Sequence, residues 1–219
     1  AHAFNGCSFL KTITFPSNSV VETIGDSAFY SSGLTDITVP STVKLIDKQA
    51  FYNCKKLMTV TFPVTSLLRI IGVEAFYGSI LTSITIPSRV TSINQAAFRY
   101  NYNLKIVNFE RNSLLESIHL DAFQSATSLT SIALSRSLKF IGRSAFNACS
   151  RLKTVNFASN SFLETIESLA FGSSGLTAIT LPHKMKAIGA NAFKSCSSLT
   201  TVAISCASHM IIDSTAFTS

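Results

Sequence analysis

The dipeptide Ala-Phe recurs along the whole chain, with its Phe at positions 4, 29, 51, 76, 98, 123, 146, 171, 193 and 217. An Ile stands five residues before every one of these Phe residues from the second onward: Ile24, Ile46, Ile71, Ile93, Ile118, Ile141, Ile166, Ile188 and Ile212. Self-similarity at a period of roughly 20 to 50 residues marks a repeat architecture. A unit of 22 to 25 residues cannot bury its own apolar face, so each coil has to stack on its neighbours. Residues 1–219 therefore read as one solenoid domain rather than two small globular ones.

After each Ala-Phe but the last comes Leu-x-x-(Ile/Val)-x-apolar, as in Leu34-Thr35-Asp36-Ile37-Thr38-Val39. Its last four positions alternate outward and inward, the pattern of a half-buried strand. Pro ends five of these segments (Pro16, Pro40, Pro63, Pro87 and Pro182) and turns the chain out of the sheet by removing a ladder donor. Glu110, Ser135, Ala158 and Ser205 stand there instead in other copies. The residue after the fixed Ile is often Gly, Asn or Asp (Gly25, Asp47, Gly72, Asn94, Gly142, Gly189, Asp213), which predicts a left-handed or tightly turned backbone. Each coil thus reads as strand, turn, a short extended piece through the fixed Ile, and a brief helical turn carrying Ala-Phe.

The Ala-Phe spacings run 25, 22, 25, 22, 25, 23, 25, 22, 24, so long and short coils alternate and the true unit is a pair. Long coils carry extra residues after the strand, around Ser17-Asn18-Ser19, Val64-Thr65-Ser66, Arg111-Asn112-Ser113 and Ser159-Asn160-Ser161. They also end the strand in Phe15, Phe62, Phe109 or Phe157, where short coils have Val39, Ile86, Leu134 or Leu181. Large beside small predicts interdigitation along the stack. Nine coils at the strand spacing of ~4.8 Å give a rod roughly 45 Å long.

Several functions are disfavoured by what these residues lack. Only 13% of the chain is charged, and hydroxyls supply much of the polarity. No apolar run approaches the ~20 residues of a membrane-spanning helix, and the N-terminus lacks the charged and apolar regions of a signal peptide. The chain begins and ends inside a repeat without a polar cap, which reads as a fragment of a longer solenoid. His2, His119, His183 and His209 fall at different repeat positions, and none forms a metal or catalytic motif with a Cys or carboxylate. No catalytic residues, metal or cofactor are expected, and the chain reads as a non-enzyme.

Cys7, Cys54, Cys149 and Cys196 each lie three residues after the Phe of Ala-Phe, in alternate coils only. Two coils separate members of a pair by roughly 10 Å, beyond the ~7 Å reach of a disulfide. Free thiols acting as small buried residues are expected, with no bond between Cys196 and Cys206. Seven residues before each Phe stands a column of Glu22, Lys44, Arg69, Thr91, Glu116, Lys139, Glu164 and Lys186, whose alternating signs favour correct coil register.

The pattern Ala-Phe-x-x-Cys-x-x-Leu-x-x-Ile-x-(Phe/Ile)-Pro…Ile-Gly-x-x-Ala-Phe resembles the BspA-like (Treponema-type) leucine-rich repeat family, over essentially the whole length. Ile84-Thr85-Ile86-Pro87-Ser88 and Ile46-Asp47-Lys48-Gln49-Ala50-Phe51 carry the likeness. The resemblance implies an α/β-type repeat solenoid: a leucine-rich-repeat-like stack of about nine coils, with a parallel sheet on the concave face and short helical or irregular turns on the convex one. It also implies a secreted or cell-surface protein of the bacterial or trichomonad kind, used in adhesion or in binding host or extracellular-matrix proteins.

By the same analogy the outward strand positions form the binding surface. It is rich in hydroxyls and nearly uncharged, with Lys11, Thr35, Asp36, Met58, Thr59, Thr82, Lys105, Ile106, Asn108, Lys153 and Asn156 as candidate contacts. Thr also suits stacked strand positions for structural reasons alone. A second candidate comes from the net charge of +7: Arg89, Arg136, Lys139, Lys184 and Lys186, on the turns of short coils, would attract anionic glycans. Nucleic acid is disfavoured, because aromatic residues fall mostly at core positions rather than among the basic ones. A structural or assembly element, with coils stacking between molecules, is the remaining alternative.

Overall fold

The structure is a computed structural model that describes residues 1–204 and 209–218; Cys206 lies outside the described residues. Strands are numbered β1 to β17 in chain order. The odd-numbered ones are two-residue pieces ending at the fixed Ile: β1 (Thr23–Ile24), β3 (Leu45–Ile46), β5 (Ile70–Ile71), β7 (Ser92–Ile93), β9 (Ser117–Ile118), β11 (Phe140–Ile141), β13 (Thr165–Ile166), β15 (Ala187–Ile188) and β17 (Ile211–Ile212). They form one unbroken parallel sheet in sequence order, in which each fixed Ile pairs with the next. Nine rungs bound about eight complete coils, slightly fewer than the nine counted from the motifs.

The even-numbered strands are the alternating segments after Leu: β2 (Asp36–Thr38), β4 (Thr59–Thr61), β6 (Ser83–Ile86), β8 (Ile106–Phe109), β10 (Ser131–Leu134), β12 (Thr154–Phe157), β14 (Ala178–Leu181) and β16 (Thr201–Ile204). They do not make one continuous ladder. Each short-coil strand pairs with the long-coil strand that follows it, giving four two-stranded sheets, β2-β4, β6-β8, β10-β12 and β14-β16. Between these pairs, at every step from a long coil to a short one, the ladder is interrupted. Backbone bonds flanking the strands measure 2.9 Å within pairs (Met58 N–H to Thr35 C=O, Lys105 N–H to Thr82 C=O) and 3.0, 3.3 and 3.4 Å across seams (Thr35 to Lys11, Thr82 to Met58, Thr177 to Lys153).

The expected helical turn at Ala-Phe is not there: no helix occurs among the described residues. Two residues with positive φ bracket each Ala-Phe but the last, for example Gln49 (55°) and Asn53 (56°) around Phe51, or Ser144 (55°) and Ala148 (59°) around Phe146. A left-handed residue every fourth position stops a right-handed helix. Hydrogen bonding takes over the turn instead. Gln49, Phe51 and Asn53 donate to Val73, Ala75 and Tyr77 of the next coil at 2.6 to 2.8 Å, while Ala50 and Tyr52 close local turns onto Asp47 and Gln49. The coils are thus zipped through the turn as well as through the sheet.

The residue after the fixed Ile opens a tight turn, as expected, with Ala75 N–H bonding to Gly72 C=O and Ala145 N–H to Gly142 C=O, but the left-handed backbone is not there. None of the Gly, Asn or Asp residues there has a positive φ. Gly72 and Gly142 are needed for close approach: a Cβ would lie 2.7 Å from the Asp47 carbonyl carbon and 2.8 Å from that of His119, one coil back. The left-handed residues come two positions later.

Inside, the ten Ala-Phe rings stack as one column of nine near-parallel pairs, with centroids 4.9 to 5.4 Å apart and planes within 10°. That spacing is the rise of the sheets themselves. Leu34, Ile37, Ile46, Leu57 and their equivalents fill the space around the rings. Val39, Ile86, Leu134 and Leu181 are buried at the strand ends of short coils, whereas Phe15, Phe62, Phe109 and Phe157 are only partly covered and pack against the core from its edge.

The four cysteines among the described residues are free, as their spacing predicts, and three of them have a specific task. Cys54 Sγ donates to the Phe29 carbonyl (3.0 Å), Cys149 to Phe123 (3.2 Å) and Cys196 to Phe171 (3.0 Å), each one coil back. Ser79 Oγ and Asn101 Nδ2 do the same for Phe51 and Phe76. The column supplies small donors to buried carbonyls, which would otherwise lack a second partner. Burial pushes the Cys149 thiol up to about 12 and raises that of Cys54 as well, so both stay protonated.

Candidate binding face

The outward positions of the even-numbered strands form a surface strip running the length of the stack. Lys11, Asp36, Met58, Thr59, Thr82, Lys105, Ile106, Asn108, Lys153 and Asn156 are all exposed, and Thr35 is half-buried. Met58 and Ile106 expose 47% and 51% of their surface, large fractions for apolar side chains whose strand neighbours Val60 and Val107 are buried. Alternation along the even-numbered strands from β2 to β14 therefore separates core from face as the sequence indicates, while in β16 Val202 is only half-buried and Ile204 is exposed.

Some of the threonines have local work. Thr35 Oγ1 donates to Asp36 Oδ2 (2.8 Å) and to the Lys11 carbonyl (3.3 Å), and Thr200 Oγ1 donates to the Thr177 carbonyl (3.1 Å). These hydroxyls link coil to coil. Their oxygens still accept hydrogen bonds from outside.

The seams give this face its relief. One shallow groove of about 520 Å³ lies between Thr12-Thr14 and Asp36-Thr38, and reaches Pro16, Pro40 and Pro63. A second, of about 320 Å³, lies between Thr154-Asn156 and Ala178-Thr180 and reaches His183. A third, of about 250 Å³, joins Lys105, Ile106 and Asn108 to Thr130, Ser131, Ala133 and Asn156. Each sits at a long-to-short step, where the strands lie side by side without laddering. The third brings together four of the predicted contacts: Lys105, Ile106, Asn108 and Asn156. Lys11 and Met58 lie apart from it, in other coils.

The basic turns are less free than their sequence suggests. Lys139 pairs with Glu116 (3.1 Å) and Lys186 with Glu164 (2.8 Å), as Lys44 does with Glu22. The charge column thus pairs as its spacing predicts, and each pair spans a long-to-short step. Arg136 and Lys184 lie over the Phe162 ring from neighbouring coils, 4.9 and 4.1 Å from its centroid. Arg89 is exposed. Among the described residues, no three His, Cys, Asp or Glu side chains gather as a metal cluster would require, and no helix is long and apolar enough to cross a membrane.

Sequence reasoning passed over one surface feature. Tyr30, Tyr52 and Tyr77 follow Ala-Phe in three consecutive coils and stack on one another. The recurrence of Tyr directly after Ala-Phe in the N-terminal half was the available signal.

The repeat matches the model of the BspA type leucine rich repeat region in six copies, over residues 1–105 and 116–219. The chain belongs to this family. Among solved structures, a leucine-rich repeat protein from Bacteroides ovatus is 32% identical with a TM-score of 0.79, over 95% of this chain and 52% of that one. The BspA-type repeats described here thus span about half the length of that relative. The T. pallidum leucine rich repeat protein is 26% identical with a TM-score of 0.61, over 81% of this chain and 72% of that one. The pneumococcal vaccine antigen PcpA shares the fold at 23% identity and a TM-score of 0.51, over 78% of this chain and 62% of that one. No curated protein matches the chain.

Proposed function

We propose that this BspA-type solenoid is a non-catalytic binding module at the cell surface or outside the cell, and that it receives an extended protein partner, such as a host matrix or cell-surface protein, along its outward strand face. The observation that carries the reading is the coincidence of shape and chemistry at the seams: open grooves lined by exposed hydroxyls and amides, with Lys105 and Ile106 at the rim of the one beside Asn108 and Asn156. Such grooves suit a segment of peptide that lays side chains across successive coils, with the apolar residue as anchor and the polar ones setting register. The family resemblance supports the extracellular setting.

The test is binding of the purified chain to a panel of immobilised extracellular-matrix proteins, compared with Ile106→Asp and with Lys105→Glu combined with Asn108→Ala. Binding by the parent, and its loss in both variants at unchanged thermal midpoint, is the expected result. Binding that survives both substitutions overturns the assignment to this face.

The anionic-glycan reading has less support, because four of its five cations are already engaged by Glu116, Glu164 or Phe162. Combining Lys139→Glu, Lys184→Glu and Lys186→Glu should leave the salt needed for elution from heparin nearly unchanged. A large drop would revive it.

A further inference from the structure

The Tyr30, Tyr52 and Tyr77 rings stack with centroids 4.8 and 4.6 Å apart and planes 7° and 5° from parallel. The order breaks in the next coil, where Arg99 takes the equivalent place. Tyr100 meets Tyr77 edge-on at 5.2 Å and 76°, under the Arg99 guanidinium, which is itself held by Asp121 at 3.2 Å. Tyr102 stacks on Tyr100 at 5.7 Å. The three ladder tyrosines are half-buried. Both faces of Tyr52 are covered by its neighbours in the ladder.

Phenols held face to face can undergo one reaction more readily than free ones. A tyrosyl radical carries spin on its ortho carbons, and two such radicals formed on adjacent rungs need no diffusive encounter to combine. Fixing reacting groups side by side raises their effective concentration by orders of magnitude. Burial raises the Tyr52 and Tyr77 phenols above their usual range, so both retain the hydrogen that the reaction removes. The nearby Cys54 thiol is buried and bonded to the Phe29 carbonyl, out of reach as a competing reductant.

We propose that the Tyr30-Tyr52-Tyr77 ladder is an oxidative modification site, where hydrogen peroxide acting through a haem peroxidase couples neighbouring phenols into dityrosine and staples adjacent coils. Each phenol gives up one electron and one proton. The peroxide O–O bond breaks, and it takes up both electrons and both protons to leave as two waters. A carbon–carbon bond forms between the ortho positions, and the hydrogen on each of those carbons moves as a proton to its phenolic oxygen, restoring two phenols. A Tyr52–Tyr77 link closes a loop of about 25 residues and restricts the unfolded chain, so the thermal midpoint rises. The ladder lies on the turn after Ala-Phe, away from the outward strand positions, and the proposal stands whether or not that face binds a protein.

The experiment treats dilute folded protein, its exposed thiols alkylated, with horseradish peroxidase and one equivalent of peroxide, then digests it with trypsin. Cleavage leaves Tyr30 on residues 12–44, Tyr52 on 49–55, Tyr77 on 70–89, and Tyr100 with Tyr102 on 100–105. The expected product is monomeric, with 49–55 joined to 12–44 or 70–89 and a higher thermal midpoint. Tyr52→Phe keeps a ring in the ladder, so it should fold with an unchanged midpoint and lose both links. The proposal is overturned if no dityrosine forms in the folded chain, if the links join separate molecules, or if urea-unfolded protein yields the same peptide pairs equally well.

Discussion

The continuous nine-stranded sheet and the seamed outer sheets are wound from the same coils, yet only the first is unbroken. The difference follows from where the chain allows its length to vary. From the fixed Ile to Phe the spacing is five residues in every coil, so each rung repeats the last and the ladder runs through. Between the outer strand and the fixed Ile the count alternates, and the long coils carry extra residues there. At each step from a long coil to the following short one the equivalent residues still face each other, as the bond from Thr82 N–H to Met58 C=O shows, but the ladder does not continue beyond it. The ladder closes only within short-to-long pairs, and the grooves open at the steps left over. An invariant spacing makes scaffold; a variable one makes relief.

The sharpest way to separate the two regions is to cut into each. Phe123→Ala removes a fully buried ring from the middle of the Phe column and should lower unfolding free energy by about 3–5 kcal/mol, measured by urea titration. Ile106→Ala, on the outer face, should stay within about 0.5 kcal/mol of the parent. Comparable losses at both positions would show that the outer face is scaffold as much as surface.

The next effect lies in the donor column. Cys149→Ala leaves the Phe123 carbonyl without its side-chain donor and should cost about 1–3 kcal/mol. Cys149 also gives a pH signature. Its folded thiol is raised to about 12 from an ordinary value of 9, so the stability it contributes is complete below pH 9. Above that the unfolded chain releases the proton and the folded one does not, so stability falls by up to about 1.4 kcal/mol per pH unit until the folded value is passed. Denaturation followed across that range should show the slope in the parent and a shallower one in Cys149→Ala, with Cys54, Tyr52 and Tyr77, whose values are also raised, contributing to what remains.

These contrasts also mark how far the sequence could be read. The stack, the inward and outward strand positions, the free thiols and the ion-pair column were legible because each depends on spacing alone, which a repeat displays many times over. The turn was not. Ala-Phe looks like a helical turn, and the residues that prevent one, such as Gln49, Ser144 and Leu169, are ordinary side chains in a left-handed backbone. Glycine at 72 and 142 pointed to the wrong cause: the preceding coil leaves no room for a Cβ there. The seams were hidden for a different reason. The alternation in length was plain, but its consequence for hydrogen bonding appears only when two coils are laid side by side.

Ser173→Val tests that account of the turn. Ser173 is exposed, has a φ of 53°, and donates its backbone N–H to the Lys194 carbonyl of the next coil at 2.7 Å. A β-branched residue resists this conformation, so the substitution should cost about 1–2 kcal/mol although it removes no core contact. An equal change at Thr177, on the outer strip, should be nearly silent. If both are silent, the turns are softer than the zipper of inter-coil bonds implies.

The smallest effect belongs to the ion pairs that span the seams. Glu116 and Lys139 are each about half exposed, so their pair is screened by solvent and worth about 0.2–1 kcal/mol at most. A double-mutant cycle with Glu116→Gln and Lys139→Met should give a coupling in that range that fades in high salt. What the cycle decides is a question of register rather than of total stability. The pair sits at the start of β9 and β11, in the continuous sheet, where Lys139 N–H also bonds to Glu116 C=O, so losing it should speed amide hydrogen exchange along β9 and β11 while leaving β8 and β10 as they were. Uniform acceleration in all four strands would mean that the two sheets open as one unit, and that the seam is a feature of the surface without being a line of weakness in the stack.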